Sequence, residues 1–168
     1  MAYRFSVSVA AALAVSLIAP MQAANACWDQ NEAAAAKLRD LQSKLMVETL
    51  RCKAIGIDVH EAYNGFVRSN RETIQAANAT MKAEFVEAGG ARATQEYDRF
   101  ATALANAYGE GLTTTETCAA TSSLAHEASA AEGDIQALLA LAEKAGSQPA
   151  LPGQRCPIVF ATADSGAR

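Results

Sequence analysis

Hydrophobic positions recur at helical spacing in four stretches of the chain, and the first of them organises the rest. Between Glu32 and Ile55 there is no proline or glycine, and Ala, Leu, Lys, Arg, Gln and Glu, strong helix formers, dominate. Leu38, Leu41, Leu45 and Cys52, with Thr49 filling the gap, recur at spacings that predict one apolar stripe on an amphipathic helix. Asp29 and Glu32 at its start and Arg51 and Lys53 at its end oppose the helix dipole correctly. About 25 residues at roughly 1.5 Å each put Cys27 and Cys52 nearly 40 Å apart. Those two thiols therefore cannot bond to each other.

The remaining stretches follow in order. Gly56 is a helix stop, and Asp58 with Glu61 predicts a capping-box start for a second helix. Val59, Tyr63, Phe66, Ile74, Ala77, Met81 and Phe85 carry its stripe, interrupted only by Asn70, which reads as an asparagine that is buried to fix register or sits at the edge of the seam. Gly89-Gly90 ends it. A third helix begins near Ala91 with Tyr97, Phe100, Leu104 and Tyr108 on one face, and closes at Gly109-Glu110-Gly111. Thr113 with Glu116 predicts a second capping box, opening a fourth helix that carries Cys118, Ala125, Ile135, Leu138, Leu139 and Ala142. Gly133 costs its middle about 1 kcal/mol relative to alanine and marks a place for a kink. Gly146 stops it, and Pro149 and Pro152 mark an irregular tail in which Cys156 precedes Ile158, Val159 and Phe160.

Four helices with short links predict an all-α fold, an antiparallel up-down-up-down four-helix bundle with an irregular C-terminal tail. If the first helix runs upward, Cys52 is at the top, where the fourth helix starts with Cys118; the end of that helix and the tail bring Cys156 to the bottom with Cys27. The expected disulfides are Cys52 with Cys118 and Cys27 with Cys156, each worth about 4 to 5 kcal/mol in the chain-entropy model.

Composition adds the compartment. Residues 1-26 read as a secretory signal peptide, with Arg4 ahead of an apolar core from Phe5 to Ala19, the breaker Pro20, and Ala24-Asn25-Ala26 as cleavage site. The core of about 15 residues falls short of the roughly 20 that span a bilayer. Residues 27-160 then form the bundle domain, and residues 161-168 a frayed C-terminus. A lipoprotein acylated at Cys27 is the competing reading, but Ala24 stands where a leucine is expected, and acylation would leave an odd number of thiols. Four cysteines in an exported chain, without C-x-x-C or C-x-x-C-H, point to disulfides in preference to zinc, thioredoxin-like chemistry or covalent haem. Without Arg4 the chain has 13 basic against 18 acidic residues, net −5, which argues against nucleic acid. No second apolar stretch follows, so no stable membrane span is expected after signal cleavage.

Candidate chemistry is sparse. His60-Glu61 and His126-Glu127 lack the two-histidine spacing of a zinc protease helix, though a shared metal at one end of the bundle is conceivable. Met46 or Met81 with His126 could in principle hold haem, but Met at helical spacing is usually core filler. Glu84, Glu87, Glu96 and Asp98 flank the Gly89-Gly90 turn as solvated helix-end charges. Tyr63, Asn70, Tyr97 and Tyr108 are the candidate lining of a small inter-helical pocket, against the structural reading of boundary tyrosines whose hydroxyls reach water. No catalytic triad order or phosphate-binding glycine loop stands out, and no cofactor is expected.

Cys27-Trp28, Cys52, Cys118 and Cys156-Pro157, on a helical body behind a signal peptide, make the chain resemble small exported bacterial four-cysteine proteins without assigned function. That resemblance carries no activity with it. Some helical lysozyme inhibitors are also small, exported and cysteine-stapled, but their motifs have no residue-by-residue match here. The expectation is an exported, non-enzymatic helical module, periplasmic or secreted, that binds a protein or cell-envelope component. The alternative is a periplasmic carrier of a small ligand, haem or metal, using the bundle core or the His60/His126 end.

Overall fold

The computed structural model describes residues 27-156. The expectations for the signal peptide, for Ile158 to Phe160 and for the frayed end lie outside them. Helices α1 (Gln30–Ala54), α2 (His60–Ser69), α3 (Arg71–Gly89), α4 (Ala93–Ala107), α5 (Thr115–Ser129) and α6 (Ile135–Lys144) follow in order, with a 3-10 turn at Gly90–Arg92. Among the described residues there is no strand, only an isolated parallel bridge between Trp28 and Arg155.

Local signals set α1. Its N-terminus is a capping box: the Glu32 amide donates to Asp29 Oδ1 at 2.8 Å and the Asp29 amide to Glu32 Oε2 at 2.7 Å. Its end is a Schellman motif, in which Gly56 at φ +82° lets the Ile57 and Gly56 amides reach the Cys52 and Lys53 carbonyls, both at 3.0 Å. The helix buries more than the expected stripe. Leu38, Leu41, Leu45, Thr49 and Cys52 are buried on one side, and Ala36, Asp40 and Ser43 on the opposite side, about 180° away at roughly 100° per residue. Helix α1 is thus the centre of the molecule, with α3, α4, α5 and α6 packed around it.

The second helix is not continuous. It breaks at Asn70 into α2 and α3, because the Asn70 side chain is used inward. The Asp58/Glu61 capping box does not form either. Asp58 Oδ1 instead accepts from the His60 amide at 2.9 Å, and Val59 is the cap residue without a side-chain bond. The box at the start of α5 is one residue later than expected, between Thr114 and Thr117, a hydroxyl taking the role assigned to Glu116.

The expected fourth helix is two helices joined by a reversal. The chain turns through Glu132 (φ +47°) and Gly133 (φ +90°), and Asp134 restarts it by accepting from the Gln136 and Ala137 amides. Lys144 comes back to Glu127 at 2.8 Å, so α5 and α6 form an antiparallel hairpin. Along α1 the partners rise together: Lys37 Nζ meets Glu143 at 2.7 Å, and further along Ser147 Oγ donates to Asp40 Oδ2 at 2.6 Å. Helix α6 therefore runs upward with α1, and the tail alone descends to the Cys27 end. Helix α4 also rises, packing on α3 and α1, with Tyr108 Oη donating to Asp40 at 2.9 Å and Arg51 donating to the Tyr108 and Gly111 carbonyls at 2.7 and 2.6 Å.

Leu38, Leu41, Leu45, Phe66, Met81 and Leu138 fill the middle of the core. The bridges are those expected, Cys52–Cys118 at the upper pole beside Val59 and Cys27–Cys156 at the lower pole.

Candidate functional site beside the lower disulfide

The Cys27–Cys156 bridge fixes Trp28 against the core. The Trp28 amide donates to the Gln154 carbonyl and the Cys156 amide to the Trp28 carbonyl, both at 2.9 Å, while the indole Nε1–H donates to the Pro152 carbonyl at 2.6 Å. The ring is 3 % exposed and meets Phe85 edge-on at 5.7 Å; Phe85 in turn touches Tyr97 and Phe100 at 5.6 and 5.5 Å. Beside this aromatic cluster lies a hollow of about 420 Å³, bounded by the end of α3, the start of α4 and the tail. Trp28, Phe85, Phe100 and Leu151 make its apolar lining; Glu84, Arg92, Glu96 and Arg99 supply its charges.

Those charges are unevenly satisfied. Arg99 Nη1 is paired with Glu96 at 2.7 Å. Glu84, only 7 % exposed, has no cationic partner among the ion pairs of the described residues. Burial raises its carboxyl to about 7, with the hydrogen bond and negative charge of Glu32 next and the charges of Glu87 and Asp29 after them. A buried carboxyl on the wall of an apolar hollow is a feature that can select a ligand.

The four residues expected to share an inter-helical pocket have separate partners. Tyr63 leans on Phe66 at 6.3 Å near Arg39 and Gln42; Tyr97 joins the Phe85 cluster with Lys82 over its ring at 5.8 Å; Tyr108 bonds Asp40, with Lys44 over its ring at 4.9 Å. Burial, then the Asp40 hydrogen bond, raises the Tyr108 hydroxyl well above its ordinary value. Asn70 is buried, and its polar atoms are spent on Phe66, Ala128 and Gly133.

No family model, curated protein or solved structure matches this chain.

The histidines stand apart in their bonding. His60 Nδ1 is 3.1 Å from Asp58, and His126 is exposed on α5. Among the described residues no three His, Cys, Asp or Glu side chains are grouped to hold a metal ion. Met81 is fully buried in the core cluster, as a core filler is. Of the carboxylates expected as solvated helix-end charges, Glu87 and Asp98 are exposed, Glu96 is half-buried, and Glu84 is buried. Sequence reasoning passed over Trp28, Arg92, Arg99 and Leu151 as site residues. The available signal was the pairing of the only tryptophan with a cysteine that a distant tail must meet.

Proposed function

We propose that this protein is an exported, non-enzymatic helical module that binds a protein or cell-envelope component through the hollow beside Cys27–Cys156. One observation carries the reading: at the disulfide-tied pole an aromatic floor is ringed by charge, the anatomy of a recognition surface with an apolar centre and polar rim. The disulfide and the three hydrogen bonds around Trp28 pre-order that floor, which lowers the entropy cost of binding. The carrier reading has less support, since Leu38, Leu41, Leu45, Phe66 and Met81 already occupy the middle of the core. Two disulfides, and no described helix long and apolar enough to cross a membrane, are compatible with a periplasmic or secreted location.

A photo-crosslinking residue at Ala103, on the exposed wall of the hollow, tests the reading in the native compartment. A discrete crosslinked species that disappears when Ala88→Trp fills the hollow is the expected result. A stoichiometric chromophore or metal in protein purified from that compartment would overturn it.

A further inference from the structure

We propose that the hollow receives a lysine or arginine side chain of a protein partner, its aliphatic stem against Trp28, Phe85 and Phe100 and its cationic head on the Glu84 carboxylate. The inference rests on the hollow being the binding surface and names the chemistry that surface selects.

Charge complementarity carries it. The charges that act on Glu84 are Asp29 and Glu32 at the start of α1 and Glu87 one turn on in α3, all carboxyls, while the lining of the hollow adds Arg92 from the turn and Glu96 and Arg99 from α4. Five carboxyl groups, Glu84 included, thus stand against two guanidinium groups, and one of those two is already paired with Glu96. Asp29 and Glu32 are themselves engaged by the backbone amides of the capping box. Glu84 is the buried member without a cation. A carboxyl so placed must hold a proton or be matched by a positive charge. Near neutral pH it is poised between the two, because burial, then Glu32, raises it to about 7.

An ammonium or guanidinium entering the hollow takes the proton's place. The carboxylic acid gives its proton to solvent and the carboxylate accepts a charge-assisted hydrogen bond from the ligand, so charge balances without another reactant. The aromatic rings add cation–π attraction to the burial of the stem. A neutral ligand gains only the burial of its stem, and an anion meets the carboxyls at and behind Glu84.

Trp28 is the only tryptophan, and its indole N–H lies at the hollow, so its amide-type NMR peak and its fluorescence report occupancy directly. The disulfide-bonded protein is titrated with capped Ala-Lys-Ala, Ala-Arg-Ala and Ala-norleucine-Ala peptides and with hexylammonium. At pH 8 the basic peptides are expected to shift the Trp28 signal at concentrations about tenfold below those norleucine needs, a difference of about 1.4 kcal/mol. As the pH falls through 7 the proton competes, and the advantage of the basic peptides over norleucine is expected to disappear. Calorimetry near pH 7 in two buffers of different ionisation enthalpy should register proton release, a readout that needs no variant. Glu84→Gln should abolish the preference for lysine over norleucine while leaving the norleucine response.

Equal binding of lysine and norleucine peptides, or a lysine preference that survives Glu84→Gln, would overturn the cation assignment while leaving the hollow as the binding surface. Binding of hexylammonium without either basic peptide would also overturn it, in favour of a free amine. Silence of the Trp28 signal to every probe, together with no crosslink from position 103, would remove the binding surface itself.

Discussion

Gly133 donates its amide proton to Asn70 Oδ1 at 2.7 Å, joining two chain interruptions that lie 63 residues apart. On its other side Asn70 Nδ2 donates to the Phe66 carbonyl at 2.9 Å, inside its own helix break, and to the Ala128 carbonyl at 2.8 Å, near the end of α5. One buried amide side chain therefore serves both the α2–α3 break and the α5–α6 reversal. Asn70→Ala leaves the Ala128 carbonyl and Gly133 amide without these partners, at an expected cost of about 2 to 4 kcal/mol. Urea denaturation followed by circular dichroism measures it.

Gly133 has a second reason to be glycine. It sits at φ +90°, and a Cβ there would approach Thr73 Oγ1 to 3.2 Å, where that hydroxyl already donates to the Gly133 carbonyl at 2.8 Å. Gly146, at φ +72°, faces open space. Both glycines to alanine should destabilise by about 1 to 2 kcal/mol from backbone strain. Gly133→Ala should cost more than Gly146→Ala, and equal midpoints in parallel denaturations would refute the steric contribution.

Glu84 makes stability fall as pH rises. Its folded carboxyl is raised from 4.5 to about 7, so between those values the native state holds more protons than the unfolded chain. The stabilisation is complete below about pH 4.5 and is lost as pH climbs through 7, a change on the order of 3 kcal/mol. Glu84→Gln should flatten that segment of the stability–pH curve and be the more stable form at pH 8. Thermal denaturation across pH 4 to 8, with Glu87→Gln as the exposed control, distinguishes this group from general charge effects.

The two bridges should be separable. Their sequence separations of 129 and 66 residues give about 5 and about 4 kcal/mol for Cys27–Cys156 and Cys52–Cys118 in the chain-entropy model, and less than the sum when both are removed, since one loop lies within the other. Removing Cys27–Cys156 with paired serines should also red-shift Trp28 fluorescence by loosening the Pro152 contact, while loss of Cys52–Cys118 should leave that signal in place. Non-reducing peptide mapping checks the connectivity.

How far the sequence reached differs between neighbouring elements. The start of α1 near Asp29 and Glu32 was legible because acidic side chains there suit the positive end of the helix dipole, whereas the capping box they form depends on side-chain geometry that charge alone does not show. The break at Asn70 was not, since Phe66 and Ile74 sit in the same apolar rhythm as a continuous helix, and the bonds that favour the break come from Ala128 and Gly133. For Asp40, two distant hydroxyls, of Tyr108 and Ser147, accompany its burial in the face of α1 that the pattern leaves polar. Glu84 looked like a solvated end charge because the aromatic cluster and tail that shield it come from elsewhere in the chain.

By itself the sequence determined that α1 is one long rod with a thiol at each tip, and rod length alone forbids those thiols from meeting. That restriction is local, since it follows from propensity and rise per residue, and it left the observed pairings standing. Tertiary structure decided how the chain reaches the lower tip. The reversal at Gly133 sends α6 upward along α1, so the proline-containing tail makes the descent assigned to a helix, and in doing so it builds the wall of the hollow. A positive-φ glycine allows either a kink or a reversal, and only contacts with Asn70, Thr73 and Lys37 choose between them.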